Sequence, residues 1–255
     1  MCDSMYRQFP KIVLCLGLPG SASTWVFNVA LYLLGKTQRS LVTVYLDDNF
    51  ADLQAAFKAS DQQVDYVVLK SHKADPALLA FLASNPSSCI LSVRDPRDCI
   101  VSLMERFEFS FEAALQALQK SCASLTMCQV PGAPLLRYED QFYLSIETIR
   151  TLKDYLGITE SVDLGVVQRL HSQAAVERLI GKFASLPPGR IRRCGNDEYD
   201  LVSHWHRNHF SDGLCGKWRT RLTAQQAARA SLVLADVLEQ WDYSSTALSA
   251  RGSVC

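Results

Sequence analysis

Three short groups of residues carry side chains able to grip an anion or move a proton. The first is Gly17-Leu18-Pro19-Gly20-Ser21-Ala22-Ser23-Thr24-Trp25. Small residues let a backbone bend closely around a ligand, and a helix starting here would aim unpaired N–H groups at an anion. Ser21, Ser23 and Thr24 add hydroxyl donors, although a serine-rich helix cap uses the same residues without any ligand. The second group is Ser92-Val93-Arg94-Asp95-Pro96-Arg97-Asp98, with Ser102 almost two turns into the helix that follows. Asp95 suits an N-cap and Pro96 the first helical position, while Arg94 offers a planar fork fitted to phosphate. The same arginine could instead pair with Asp95 or Asp98. The third group is Lys70-Ser71-His72. A histidine of near-neutral pKa is the natural base for a hydroxyl proton, although a lone histidine at a strand end also serves structure.

ATP chemistry is the first class to test. A Walker loop laid on this segment falls on Gly17, Ala22, Ser23 and Thr24, so both its second glycine and its lysine are missing. A nucleoside or nucleotide kinase loses its main cation and falls behind.

Elements that could hold these groups alternate along the chain. Apolar, β-rich runs at 12–16, 42–46, 66–69, 90–93 and 135–138 are separated by amphipathic stretches at 24–34, 76–84, 97–107, 111–127 and 146–156. That rhythm predicts crossover units and a single α/β domain, a mainly parallel central sheet flanked by helices. Residues 224–241 read as one further helix. Segments 185–200 and 204–218, rich in Gly, Pro, Arg and His, read as loops. One domain over 1–255, with short flexible tails at 1–9 and 244–255, is the simplest organisation.

Composition narrows the partners. The 255 residues are 48% hydrophobic, enough for one sizeable core, and carry 26 basic against 26 acidic side chains. Zero net charge gives no general pull towards nucleic acid or anionic membranes, so an anion must be held by local geometry. No run approaches the roughly 20 apolar residues that span a bilayer, and residues 11–18 are too short for a secretory signal. Nine cysteines without a CxxC pair read as reduced thiols of a cytoplasmic protein, Cys15, Cys89 and Cys99 as buried small hydrophobes. His171 and the His204, His206, His209 group read as surface or phosphate-facing, and no metal is expected.

Taken in order, the motifs resemble the sulfotransferase family that uses 3′-phosphoadenosine 5′-phosphosulfate (PAPS), a P-loop-like nucleotide-binding fold. The family's Pro-Lys-Ser-Gly-Thr-Thr-Trp loop is met by residues Pro19 to Trp25. Its Arg-Asp/Asn-Pro-Arg/Lys-Asp motif, with a serine eight places after the arginine, is met by Arg94 to Asp98 and Ser102. Its Tyr-Glu-Asp appears as Tyr138-Glu139-Asp140, its Gly-x-x-Gly-x-Trp as Gly213 to Trp218, and its Lys-Thr-His as Lys70-Ser71-His72. The resemblance implies a PAPS-dependent transferase acting on a hydroxyl or amine. Pro19, Gly20, Ser21, Ala22, Ser23 and Thr24 would surround the 5′-phosphosulfate. Trp25 and Tyr138 would lie by the adenine, and Arg94 and Ser102 would hold the 3′-phosphate. His72 would take the acceptor proton, with Lys70 assisting the charge.

Two departures from the family pattern shift the electrostatics. Gly20 stands where the family has a lysine, a change worth on the order of 10²–10³ in rate unless another cation compensates; Lys70 is the expected substitute. A protein that binds the nucleotide without turning it over is the alternative. In the late loop, Ser211-Asp212-Gly213 replaces the family's Arg-Lys-Gly, leaving Arg207, Gly213 and Lys217 as candidates for the phosphate. Segments 47–50, 104–111 and 185–199 are the candidate acceptor loops, with Arg190, Arg192 and Arg193 able to meet an anionic acceptor. A small-molecule acceptor is expected, and a homodimer is left open.

Overall fold

A computed structural model of the chain describes residues 10–46, 53, 64–194, 197–210 and 212–244. The tails, apart from residue 244, and the expected acceptor loop at 47–50 lie outside the described residues, as does Ser211.

Strand β1 (Lys11–Gly17) leads through a tight loop to helix α1 (Ser23–Gly35). Then follow β2 (Leu41–Leu46), β3 (Tyr66–Ser71), α2 (Pro76–Ala83) and β4 (Ser87–Val93). Next come α3 (Pro96–Phe107), α4 (Phe111–Cys128) and β5 (Leu135–Arg137). The five strands form one sheet in the order β2-β3-β1-β4-β5, parallel at every pairing. Ile12, Leu14 and Leu16 of β1 enter one apolar cluster while Val13 and Cys15 enter the other. Covered on both faces, the strand reads as an unbroken apolar run rather than an alternating one.

Register matters most for function. Leu16 lies opposite Ser71, Gly17 opposite Ser92, and Val93 opposite Arg137. The carboxyl ends of β1, β3, β4 and β5 are therefore nearly flush, and the groups after them emerge along one edge. In open parallel sheets that edge is where ligands bind.

Beyond the sheet lie α5 (Ile146–Tyr155), α6 (Leu164–Leu170) and α7 (Gln173–Ile180). Two expectations need correction here. The segment read as a loop at 185–200 contains an antiparallel hairpin, β6 (Ile191–Cys194) with β7 (Asp197–Asp200). Charged residues on both strands hide it in the sequence, yet Arg193 and Glu198 face each other and pair at 2.7 Å. After the short α8 (Trp218–Arg221), the expected single helix at 224–241 is two, α9 (Ala224–Val233) and α10 (Ala235–Gln240). The hydrogen-bond ladder still passes the bend, Leu234 N–H to Ala230 O and Leu238 N–H to Leu234 O, both 3.0 Å. Bending there keeps Leu234, Leu238 and Trp241 all within the core.

Cys15 and Cys99 are buried free thiols, and Cys89 is a half-buried one. Cys215 departs from the expected reduced state and is disulfide-bonded, because pairing depends on proximity after folding rather than on spacing in the chain. Among the described residues, no helix is long and apolar enough to cross a membrane.

Candidate functional site

The first loop is held in shape by close packing. A Cβ on Gly17 would lie 2.1 Å from Ser92 Oγ and 2.6 Å from Ser23 Cβ, so only glycine fits. Ser21 is fully buried, and its hydroxyl donates to Leu18 O at 2.7 Å and lies 2.9 Å from Ser92 Oγ. Its oxygen thus braces the loop. Ala22, in the left-handed region at φ 60°, precedes α1 without any side-chain cap, which leaves the helix N-terminus to an anion. Ser23 and Thr24 lie buried in that first turn. Trp25 packs edge-on against Phe142 at 5.7 Å, and its buried Nε1 has no hydrogen-bond partner.

The backbone at Gly20 suits glycine. Its φ is +78°, and a Cβ there would come within 2.9 Å of Ser102 Oγ. Restoring the lysine by Gly20→Lys is expected to destabilise the fold by about 1–3 kcal/mol from left-handed strain, read as a lower denaturant midpoint. An unchanged midpoint would show that the loop adapts freely.

The second motif meets the first at that glycine. Arg94 is buried, donating through Nη1 to Gly20 O at 3.2 Å and through Nη2 to Leu214 O at 2.7 Å. Its guanidinium stacks on the Tyr138 ring at 4.4 Å, and its buried Nε has no partner. Asp98 accepts from Gly216 N–H at 2.6 Å and Trp218 N–H at 2.9 Å, and its carboxylate lies 3.9 Å from Arg94 Nη2, the pairing that the sequence left open as the alternative. It latches the late loop onto α3. Trp218 Nε1 donates to Asp95 at 3.1 Å, and the Arg97 guanidinium stacks on its ring at 4.0 Å. The visible signal for this latch was the pairing of an acidic N-terminal turn in α3 with the late tryptophan.

Gly213 touches the Arg94 cluster through Tyr138, whose hydroxyl lies 3.5 Å from Gly213 O. Two other candidates are engaged elsewhere. Lys217 pairs with Glu105 at 2.6 Å and Asp212 at 3.1 Å. Arg207 pairs with Glu198 beside the β6–β7 hairpin.

His72 sits on the other side of the first loop. Its Nδ1 lies 2.6 Å from Gly17 O, and a carbonyl can only accept, so Nδ1 carries the proton. Burial, with the nearby Lys70 ammonium, pushes its pKa down to about 3. The ring is therefore neutral with a bare lone pair on Nε2. Lys70 is buried, its Nζ 4.9 Å from the centre of the Tyr45 ring. Pro19 is half-buried in the loop turn.

The late histidines are not the surface group the sequence suggested. His204 is buried between the rings of Tyr45 (5.1 Å) and Phe27 (5.2 Å). His206 hydrogen-bonds Asp197 at 2.5 Å through Nδ1, and His209 stacks 6.0 Å away. No cluster among the described residues could hold a metal ion. Burial pushes His171 and His204 down to about 4 and also lowers His206 and His209. An unfolded chain takes these protons near pH 6.5 whereas the folded chain does not. Stability is thus complete above pH 6.5 and falls as pH drops towards 4. His171→Phe is expected to raise Tm more at pH 5 than at pH 7.5, because its Nε2 is buried without a partner; equal gains at both values would contradict this.

No known family model matches the sequence, and no curated protein matches it in sequence. Among solved structures, the chain is similar to a mouse sulfotransferase, SULT7A1, in complex with PAP. The TM-score is 0.61 at 13% identity, covering 90% of this chain and 85% of that one. The α/β fold is shared.

Proposed function

We propose that this chain is a sulfotransferase that moves a sulfuryl group from PAPS to a hydroxyl or amine of a small molecule. One observation carries the reading. The first loop is contacted on one side by a phosphate-type fork, Arg94 on Gly20 O, and on the other by a neutral histidine, His72 on Gly17 O. An anion site and a base thus share one loop. The solved neighbour was crystallised with PAP, the desulfated form of the donor. The residues also fit such a nucleotide: Arg94 Nε is buried without a partner, and the N-terminus of α1 has no side-chain cap.

PAPS, when bound, supplies a sulfuryl group activated as a mixed anhydride with phosphate. Arg94 and Ser102 would hold the 3′-phosphate, and the N–H groups opening α1 would hold the 5′ end, with Ser23 and Thr24 beside them. Tyr138 flanks the nucleotide by stacking on Arg94, while Ser21 and Pro19 shape the loop. His72 Nε2 takes the acceptor's proton, with Gly17 O keeping the ring oriented. Lys70 would supply the positive charge that Gly20 cannot, favouring negative charge on the departing nucleotide. Trp25, set in the core, supports the helix rather than facing solvent.

Gly20 favours a second reading, a protein that binds PAP or PAPS without turnover. Titration with PAP against AMP, followed by turnover of labelled PAPS over an acceptor panel, separates the two. Equal affinity for PAP and AMP would sink both. Tight PAP binding without turnover would leave the binding protein.

A further inference from the structure

The turn after α10 is built into the two motifs that meet at Arg94 and Tyr138. Trp241 and Tyr243 are buried, and Asp242 between them turns the backbone through the left-handed region at φ 58°. All three carbonyls of the turn accept from arginines. Arg137, at the end of β5, donates to Trp241 O and, at 3.3 Å, to Asp242 O. Arg97 Nη2 donates to Tyr243 O at 2.8 Å. The Arg137 guanidinium also lies 4.3 Å from the centre of the Tyr243 ring. Arg97 stands in the first turn of α3, just beyond Arg94, and Arg137 immediately precedes Tyr138.

One hydroxyl ties the two motifs together. Tyr243 Oη donates to Glu139 Oε2 at 2.6 Å, and Glu139 Oε1 accepts from Asp95 N–H at 2.9 Å. A single carboxylate thus joins the turn after α10 to the peptide that follows Arg94, and it sits one residue from Tyr138. Arg97 fixes Asp95 from the other side, gripping both carboxylate oxygens at 3.0 and 2.8 Å. Flanked by this brace, Arg94 stacks on the Tyr138 ring at 4.4 Å. Charge is what makes the hydroxyl matter. Burial pushes the Glu139 carboxyl up, opposed first by the Tyr243 hydrogen bond and then by Asp95 N–H. A desolvated carboxylate that loses such a donor takes a proton or turns away. Either change weakens the acceptor that orients the peptide between Arg94 and Asp95.

We propose that Tyr243 is a positioning residue of the nucleotide site: through Glu139 it sets the Arg94 turn against the Tyr138 turn, and so fixes part of the preference for a 3′-phosphate. This rests on the nucleotide reading above, and one set of titrations tells the two failures apart. PAP and AMP are titrated calorimetrically into the full chain and its variants, with Tm recorded alongside. Tyr243→Phe keeps the ring on Arg137 and the carbonyl on Arg97 but removes the hydroxyl. It is expected to weaken PAP about tenfold and AMP less than twofold. Glu139→Gln keeps an acceptor for Asp95 N–H but carries no charge for Tyr243 to stabilise, and should alone weaken PAP about threefold. In that background Tyr243→Phe should cost less than about twofold more. Equal affinity for PAP and AMP in the unaltered chain removes the nucleotide reading, and this proposal with it. A preference for PAP that either single variant leaves intact overturns this proposal alone, whatever happens to Tm. So does the whole tenfold loss from Tyr243→Phe persisting in the Glu139→Gln background, because the effect would then bypass Glu139.

Discussion

Arg94→Ala is expected to weaken PAP binding about 10³-fold while changing AMP binding by less than fivefold. Truncating one partner of a buried, hydrogen-bonded charge pair costs about 2–5 kcal/mol, and each 1.4 kcal/mol is a factor of ten. Arg94 is 4% exposed and sits between Gly20 O, Leu214 O, the Asp98 carboxylate and the Tyr138 ring. Arg94→Lys keeps the charge but loses the fork and is expected to fall between the two. Calorimetry with both nucleotides checks this. Equal losses for PAP and AMP would mean that Arg94 shapes the loop rather than reading the 3′-phosphate.

His72→Ala is expected to lower kcat by about 10²–10⁴, the usual contribution of a positioned base, with PAP affinity unchanged. The prediction follows from one hydrogen bond. Because Nδ1 donates to Gly17 O, Nε2 is left to accept from the substrate, and a pKa pushed down to about 3 keeps it unprotonated at neutral pH. His72→Asn, which can still donate to Gly17 O, should restore the loop without restoring the rate. Labelled-PAPS turnover alongside PAP titration separates the two effects. A variant that loses PAP binding and turnover together would make His72 a strut of the loop.

Much of this arrangement was legible in the chain, for identifiable reasons. Strand β1 could be read because both faces are covered, so every residue from Ile12 to Leu16 is apolar. Asp95 and Pro96 announced the start of α3, and Asp95 does cap it, accepting from Arg97 N–H. The spacing of Arg94 and Ser102 put both on one side of that helix, and both meet Gly20. What stayed hidden depends on contacts between distant residues. The β6–β7 hairpin is stabilised by cross-strand charge pairs rather than an apolar face, so no alternation marks it. Arg207 and Lys217 looked available because their partners, Glu198 and Glu105, lie 9 and 112 residues away in sequence. The three late histidines looked exposed because nothing local shows that Tyr45 and Phe27 close over His204.

The carbonyls around Arg94 have a consequence for how a nucleotide arrives. A surface arginine must shed its water to bind phosphate, and much of the attraction is lost in that exchange. Arg94 has already left water: Leu214 O and Gly20 O hold its fork, and Asp98 keeps the loop bearing Leu214 in place. An incoming 3′-phosphate on the proposed reading trades places with a protein carbonyl, not with solvent. Entry and departure then become a swap of acceptors at a dry cation.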